Sequence, residues 1–193
     1  MSNSNARILA FAGSTRLQSF NKKLAAAAAK GAKDAGATVT LIDLRDYPMP
    51  LYDGDLEAAE GLPEAARALR EVFLAHNGLI IASPEYNGSF SAVLKNTIDW
   101  VSRKQGDEAP LACFKGRVAL LLATSPGALG GLRSLRHLQQ LLMGIQVNVL
   151  PEQKAIPNAQ AVFNEHGIAD DKIRADVESL GARLAEMTAK IHG

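Results

Sequence analysis

Short apolar runs alternate with amphipathic stretches along this chain of 193 residues. Five runs of apolar or β-branched residues end at glycine or polar positions, a pattern that predicts strands. These runs are residues 7–12, 38–44, 78–82, 118–124 and 146–150. Helical spacing or strong helix-forming composition predicts five helices at residues 22–35, 62–75, 90–101, 132–143 and 171–191. Residues 47–55 and 162–170 are predicted to be loops because turn-forming and polar residues dominate them.

The alternation of predicted strands and helices favours one α/β domain, residues 1–193, with a parallel sheet covered on both faces. In a sheet of order 2-1-3-4-5, strands one, three and four are neighbours. Ligands of such sheets bind beyond the carboxyl ends of the strands, where the strand order reverses. The loops after these strands, loop A (13–21), loop B (83–89) and loop C (125–131), are therefore predicted to meet in a binding site.

Loop A reads Gly-Ser-Thr-Arg-Leu-Gln-Ser-Phe-Asn and leads into the start of a helix. Unpaired N–H groups and a partial positive charge at a helix N-terminus suit a phosphate. Ser14, Thr15, Ser19 and Asn21 add donors, and Arg16 adds a charged fork. Alternatively, Ser19 only caps the helix and Arg16 is a solvated charge. The loop lacks both the GxxxxGK pattern and the three glycines of a dinucleotide turn.

Loop B, Ser-Pro-Glu-Tyr-Asn-Gly-Ser, indicates an irregular backbone at Pro84 and Gly88 whose polar groups can meet the edge of a planar ligand. Tyr86 would flank the ring; the alternative is an ordinary turn with a surface tyrosine. Loop C has three glycines within five residues. They permit close backbone approach and leave space for a second flat molecule, although a flexible strand-to-helix turn has the same composition.

Two motifs resemble the NADPH-dependent FMN reductase family: Gly-Ser-Thr-Arg-x-x-Ser-x-Asn in loop A, and Ser-Pro-Glu-Tyr-Asn-Gly-Ser-Phe-Ser-Ala-Val-Leu-Lys-Asn-x-Ile-Asp-Trp over residues 83–100. The resemblance extends over residues 7–151 and implies a flavodoxin-like three-layer sandwich with a five-stranded parallel sheet. It implies FMN as cofactor, with the phosphate held by Ser14, Arg16, Ser19, Phe20 and Asn21. It places Pro84, Glu85, Tyr86, Asn87, Gly88, Ser125 and Gly127 against the isoalloxazine. Thr15 replaces the family's usual apolar residue and is assigned no role.

The activity implied by this resemblance is electron transfer from NADPH or NADH through FMN to a small-molecule acceptor. Quinones, azo compounds, chromate and free flavin are the candidate acceptors. Because the cofactor carries the chemistry, no catalytic side chain is predicted. No metal site is predicted either, since the four histidines are scattered and none has ligand spacing. The alternative function is an FMN-binding electron carrier or redox-sensing module without turnover; the low net charge and the 83–100 motif disfavour it.

Charge and cysteine content narrow the partners and the compartment. With 21 Lys and Arg against 20 Asp and Glu, the formal charge is +1, so nucleic acid and anionic membranes are not expected partners. Residues 1–5 are too short and polar for a signal peptide. The single cysteine, Cys113, cannot form an internal disulfide and is interpreted as a packing residue, as is Trp100. We therefore expect a cytoplasmic location.

The predicted helices 90–101 and 132–143 carry apolar residues that we do not expect one sheet to cover fully. On the second helix these are Leu138, Leu141, Leu142 and Met143. Uncovered apolar area tends to be buried against a symmetric copy, and the family resemblance also implies a homodimer or homotetramer. Tyr86 and Arg133 would then lie near the partner, and Glu152 would meet a basic group across the contact. Three roles stay open for Arg133, Arg136 and His137. They face solvent, they contact a neighbouring subunit, or they hold a nicotinamide phosphate.

Overall fold

In the computed structural model, which describes residues 5–193, the predicted strand positions form one mainly parallel sheet. The strands, numbered along the chain, are β1 Arg7–Ala12, β2 Thr38–Leu41, β3 Gly78–Ala82, β4 Glu85–Tyr86, β5 Ser89–Phe90, β6 Val118–Thr124, β7 Asn148–Val149, β8 Lys154–Ile156, β9 Phe163–Asn164 and β10 Gly167–Ile168. The sheet has the order β2-β1-β3-β6-β7, and β8 also pairs with β6. The predicted fold class and strand order are confirmed, with the fifth position shared by β7 and β8.

The described part of the chain contains seven α-helices. They are α1 Phe20–Asp34, α2 Gly54–Glu60, α3 Glu64–Leu74, α4 Ala92–Val101, α5 Leu132–Gly144, α6 Ala159–Val162 and α7 Asp171–His192. All of them except α2 contribute residues to the layers on the two faces of the sheet. On one face, Leu24 of α1 and Leu184 of α7 belong to a core with the strand residue Ile80. On the other face, α3, α4 and α5 pack on alternate strand residues such as Leu79 and Ile81. Burial on both faces explains why β3 and β6 are apolar throughout.

Between β2 and α3 the structure differs from the predicted strand and loop. β2 ends at Leu41 rather than at residue 44, because the Asp43 carboxylate accepts a hydrogen bond from the Arg45 N–H and starts a 3-10 turn. The predicted loop 47–55 runs into helix α2, which the Asp53 side chain caps by accepting from the Asp55 N–H. Both differences come from local aspartate caps, which stop a strand or start a helix regardless of the apolar pattern.

Two further segments were predicted wrongly. The predicted fifth strand, 146–150, is only two residues long and is preceded by Gln146 with a positive φ of 66°. Residues 162–170, predicted to be a loop, contain the antiparallel β9–β10 hairpin. No helix within residues 5–193 has both the length and the apolarity needed to cross a bilayer. Residues 1–5 were predicted not to form a signal peptide. Apart from Asn5, these residues lie outside the described range.

Candidate functional site

Loops A, B and C meet at the carboxyl ends of β1, β3 and β6. Their junction encloses a cavity of about 70 Å³. It is lined by Ser14, Arg16, Ser19, Phe20, Asn21, Pro84, Glu85, Tyr86, Thr124, Ser125 and Pro126. Every predicted site residue except Asn87, Gly88 and Gly127 therefore lines one cavity. Larger cavities exist elsewhere, such as one of about 400 Å³ beside Lys22 and Asp43, but they do not join the three loops.

Loop A is held in place by backbone contacts with its neighbours. The Gly13 N–H donates to the Ala82 carbonyl at the end of β3 (2.9 Å). The Ser91 hydroxyl donates to the Gly13 carbonyl (2.6 Å) and also caps α4 by accepting from the Leu94 N–H. Ser91 was missed from the sequence because its partner lies 78 positions away. These bonds fix where loop A leaves the sheet and enters α1.

The hydroxyl groups of loop A are buried yet sparsely used by the chain itself. Ser14 is 3% exposed, and its Oγ accepts from the Arg16 N–H at 3.3 Å. Ser19, 4% exposed, occupies the N-cap position of α1, but its side chain makes no capping hydrogen bond. The alternative in which Ser19 serves only as a cap is therefore wrong. That its hydroxyl and the first N–H groups of α1 contact a phosphate stays a prediction.

Arg16 supplies the positive charge of loop A. Arg16 is exposed, and its guanidinium forms no ion pair with any of residues 5–193. A cation that lines a small cavity beside a helix N-terminus favours an anion there, because the charge and the helix dipole act in the same direction.

Asn21 and Phe20 shape the cavity through contacts that the sequence did not reveal. The Asn21 amide donates to the Thr124 carbonyl and accepts from the Thr124 N–H, both at 3.0 Å. Its side chain thus ties α1 to the end of β6 with one of its two N–H donors and its carbonyl oxygen. The Phe20 ring packs against Phe163, with 5.5 Å between ring centroids. Both residues help to position loop A and also line the cavity, so their direct contact with the phosphate stays a prediction.

Loop B is a tight β-hairpin in which β4 and β5 pair antiparallel. Its two turn residues, Asn87 and Gly88, have positive φ angles of 51° and 82°. This is the backbone of a type I′ turn, which an Asn-Gly dipeptide favours, and that dipeptide was a local signal that the loop prediction overlooked. The turn leaves Tyr86 51% exposed at the edge of the cavity.

The Glu85 side chain is turned toward helix α5. One carboxylate oxygen accepts from Arg133 Nε (2.7 Å), and the other accepts from the N–H groups of Arg133 (3.0 Å) and Ser134 (3.3 Å). Burial alone would raise the pKa of Glu85, but these hydrogen bonds outweigh it and hold the pKa below its ordinary value. The carboxylate is thus engaged by α5, and the predicted contact of Glu85 with the isoalloxazine stays a prediction.

Arg133, Arg136 and His137 differ in what they contact. Arg133 pairs with Glu85, and His137 Nδ1 lies 3.1 Å from the Ser89 hydroxyl of the same hairpin. Arg136 contacts only Gln139, at 3.5 Å, within the described chain. Two of these three side chains, Arg133 and His137, therefore contact loop B.

The glycines of loop C have different roles. A β-carbon at Gly130 would lie 2.6 Å from the Ile156 carbonyl carbon, and one at Gly131 would lie 2.6 Å from the Ala123 β-carbon. These two glycines, both with positive φ, allow close packing of the chain against itself. A β-carbon at Gly127 would meet only the Ser125 hydroxyl, at 3.9 Å. The open space predicted beside loop C is thus at Gly127. Thr124 and Pro126, which flank Ser125, also line the cavity and were missed.

The residues interpreted as packing groups are buried. Cys113 is fully buried, and burial raises the pKa of its thiol. Trp100 is fully buried too, and its indole N–H donates to the Pro50 carbonyl at 2.8 Å. No cluster of three potential metal ligands occurs in residues 5–193.

The apolar argument for a symmetric partner was wrong for two residues, because Leu138 and Leu142 are fully buried in the chain's own core. Met143 is exposed, as predicted, and so are Leu129 and Leu132. Glu152 lies 3.8 Å from Arg183 of the same chain. The homodimer or homotetramer stays a prediction.

Comparison with known proteins decides the family. The family model described as NADPH-dependent FMN reductase matches residues 6–161. The chain belongs to this family. An NAD(P)H-dependent FMN reductase from Pseudomonas aeruginosa is 36% identical over 189 residues, covering 97% of each chain. A quinone reductase from Escherichia coli is 36% identical over 144 residues, 75% of this chain and 73% of that one.

Solved structures agree with this membership. FerB, a flavoenzyme NAD(P)H:(acceptor) oxidoreductase from Paracoccus denitrificans, superposes with a TM-score of 0.78 at 25% identity, covering 96% of this chain and 98% of that one. An archaeal flavodoxin, 11% identical with a TM-score of 0.64, covers 94% of this chain and 98% of its own, and shows the shared fold alone. The protein is thus an FMN-dependent oxidoreductase driven by NAD(P)H, and the prediction from loops A and B is confirmed at that level.

The residues present fit FMN at its phosphate end. A cavity of 70 Å³ is larger than the share of one water in the liquid, about 30 Å³, but far too small for a whole flavin nucleotide. It matches a phosphate group surrounded by Arg16, the buried hydroxyls of Ser14 and Ser19, and the start of α1. The ring of the cofactor would then lie outside this cavity, over loops B and C.

Proposed function

We propose that this protein reduces quinones with electrons from NAD(P)H, using FMN bound across loops A, B and C of a single domain. The observation that carries the proposal is the cavity that all three loops line, with one cation and two buried serine hydroxyls in its wall. The relatives named quinone reductases support quinones as the acceptor class.

Each loop has a separate task in this proposal. Loop A binds the phosphate, which carries between one and two negative charges at neutral pH, through Arg16, Ser14, Ser19 and the N–H groups of α1. The backbone of residues 84–88 in loop B faces the isoalloxazine, and Ser125 and Gly127 approach it from loop C. Asn21 keeps loop A beside β6.

FMN bound here would supply the redox chemistry, which is the uptake of two electrons from the reduced nicotinamide and their delivery to the acceptor. The contribution of the chain is to hold both flat molecules in contact and to keep the phosphate charge compensated. Tyr86, half-exposed beside the cavity, is placed to flank the ring or the acceptor. Because the site is open, azo compounds, chromate and free flavin stay predicted acceptors beside quinones.

FMN titration followed by turnover tests the proposal. Apo-protein is titrated with FMN while flavin fluorescence is recorded, and we expect saturation at one FMN per chain. Oxidation of NADPH and of NADH is then followed with benzoquinone, an azo dye or chromate as acceptor. Binding without turnover would identify an electron carrier instead. Absence of FMN binding would overturn the proposal altogether.

The expected partners and location are part of the same proposal. We expect a cytoplasmic homodimer or homotetramer that binds neither nucleic acid nor membranes. The low net charge supports the last two points.

Replacing Cys113 with serine is expected to leave turnover within about threefold of the unsubstituted protein, because the flavin rather than a thiol carries the electrons. The thiol is buried, and its nearest polar contact is the Arg70 carbonyl at 3.9 Å. NADPH oxidation with benzoquinone is the measurement, and FMN absorbance verifies that the variant is loaded. Collapse of activity in a fully loaded variant would point to a thiol mechanism.

A further inference from the structure

One helix holds the hairpin of loop B at three points. Glu85, at the start of the hairpin, accepts hydrogen bonds from Arg133 and Ser134 at the N-terminus of α5. A β-carbon at Gly88 would lie 3.8 Å from Arg133 Nε, so the guanidinium lies beside the turn. Ser89, at the far strand, contacts His137. Arg133 and His137 are four residues apart and lie on one face of α5.

The same helix also begins where loop C ends. Gly131 of loop C is the N-cap residue of α5. Because it has no side chain, it offers no side-chain acceptor to the first N–H groups of the helix. The Glu85 carboxylate of loop B takes over this task by accepting from two N–H groups of the first turn. The Glu85 carboxylate therefore ties loop B to the first turn of the helix that follows loop C, and both loops are expected to hold the flavin ring.

The negative charge of Glu85 is buried beside the proposed binding site and is compensated by Arg133. The Glu85 side chain is 8% exposed, whereas Arg133 is 61% exposed. Glu85 belongs to the wall of the same small cavity as Arg16. Without its counter-ion, the Glu85 carboxylate would be an uncompensated negative charge in a residue of the cavity wall, and it would oppose the attraction between Arg16 and a phosphate. Arg133 neutralises this charge and at the same time fastens the hairpin.

We propose that Glu85 and Arg133 are a positioning pair that holds loop B on loop C in the FMN-binding arrangement and cancels a carboxylate charge beside the phosphate. This role rests on FMN occupying the site as proposed above. Neither side chain needs to touch the flavin, because the pair acts through the backbone of the hairpin and through charge compensation. The pair thereby gives Arg133 a role in cofactor binding.

The FMN dissociation constants of four variants test the pair: Arg133→Ala, Glu85→Gln, the double variant, and Arg136→Ala. Arg133→Ala is expected to raise the constant about tenfold, equivalent to about 1.4 kcal/mol. Glu85→Gln is expected to raise it less, because the amide oxygen still accepts from α5 and no unpaired charge is left. The double variant should then bind FMN as Glu85→Gln does, since removing the carboxylate rescues the loss of Arg133.

Arg136→Ala removes the same charge from the same helix and is expected to leave FMN binding unchanged, because Arg136 does not contact loop B. Thermal unfolding of each apo-protein separates a general loss of stability from the predicted rescue. An Arg133→Ala variant that binds FMN normally would overturn the proposal, as would additive defects in the double variant. If the unsubstituted protein binds no FMN, the proposed function fails before any variants are compared. An Arg133→Lys variant, which keeps the charge without the fork, is expected to bind FMN with intermediate affinity.

Discussion

Replacing Gly181 with alanine is expected to lower the free energy of unfolding by about 3 kcal/mol or more. A β-carbon at Gly181 of α7 would lie 1.9 Å from the Ala28 carbonyl oxygen and 3.0 Å from the Ala32 nitrogen of α1. The contact is reciprocal, because a β-carbon at Gly31 of α1 would lie 1.9 Å from the Glu178 carbonyl oxygen. Both obstacles are backbone atoms of a helix, which cannot move aside as the end of a flexible side chain can.

The cost extends beyond the glycines because α1 and α7 cover one face of the sheet together. Leu24 on α1 and Val177 and Leu184 on α7 are fully buried in that layer. Separating the helices enough to admit a methyl group would loosen all of these contacts at once.

Urea denaturation of the apo-protein measures the effect of Gly181→Ala. Gly144→Ala is the matched control, since Gly144 is also helical, at the end of α5, and a β-carbon there meets nothing within 4 Å. The control is expected to leave stability unchanged or to raise it by up to about 1 kcal/mol, because alanine favours helices more than glycine does. Equal denaturation midpoints for the two variants would show that α1 and α7 do not approach each other this closely.

Replacing Arg16 with alanine is expected to raise the FMN dissociation constant at least tenfold, since charge-assisted bonds to a phosphate are worth roughly 1.5–3 kcal/mol. Arg16 lines the small cavity between the three loops, and its guanidinium has no ion pair within residues 5–193. The whole of its charge is therefore available to a bound phosphate. Because Arg16 acts at the phosphate rather than at the ring, turnover at saturating FMN should change much less than affinity.

Fluorescence titration with FMN gives the affinity, and NADPH oxidation at saturating FMN gives the turnover. Arg183→Ala serves as the control, because it removes the same charge from α7, where Arg183 lies near Glu152 and Glu186. FMN affinity in that control should equal that of the unsubstituted protein. An Arg16→Ala variant with unchanged affinity would mean that the guanidinium points away from the phosphate.

Local patterns along the chain were enough to predict the frame of the molecule. Apolar runs such as 78–82 and 118–124 match β3 and β6 residue for residue, because a strand buried on both faces must be apolar throughout. The order of strands and helices then led to the parallel sheet and to the convergence of loops A, B and C. The motifs of loops A and B led correctly to the family, and Asn87-Gly88 was a local signal for the hairpin that the prediction did not use.

Only the tertiary structure decided what the polar side chains of the site do. The partner of Asn21 is 103 positions away and that of Glu85 is 48 positions away. Asn21 was assigned to the ligand as a donor, and Glu85 through the family resemblance. The fold also uses both side chains to join separate segments of the chain. Gly130 is likewise typical of a flexible turn when only the sequence is considered. The structure shows that it allows the backbone of Ile156 to pack closely against it. The periodicity that predicts strands and helices depends on residues close together along the chain. A buried polar group, in contrast, bonds with whichever donor or acceptor the folded chain brings beside it.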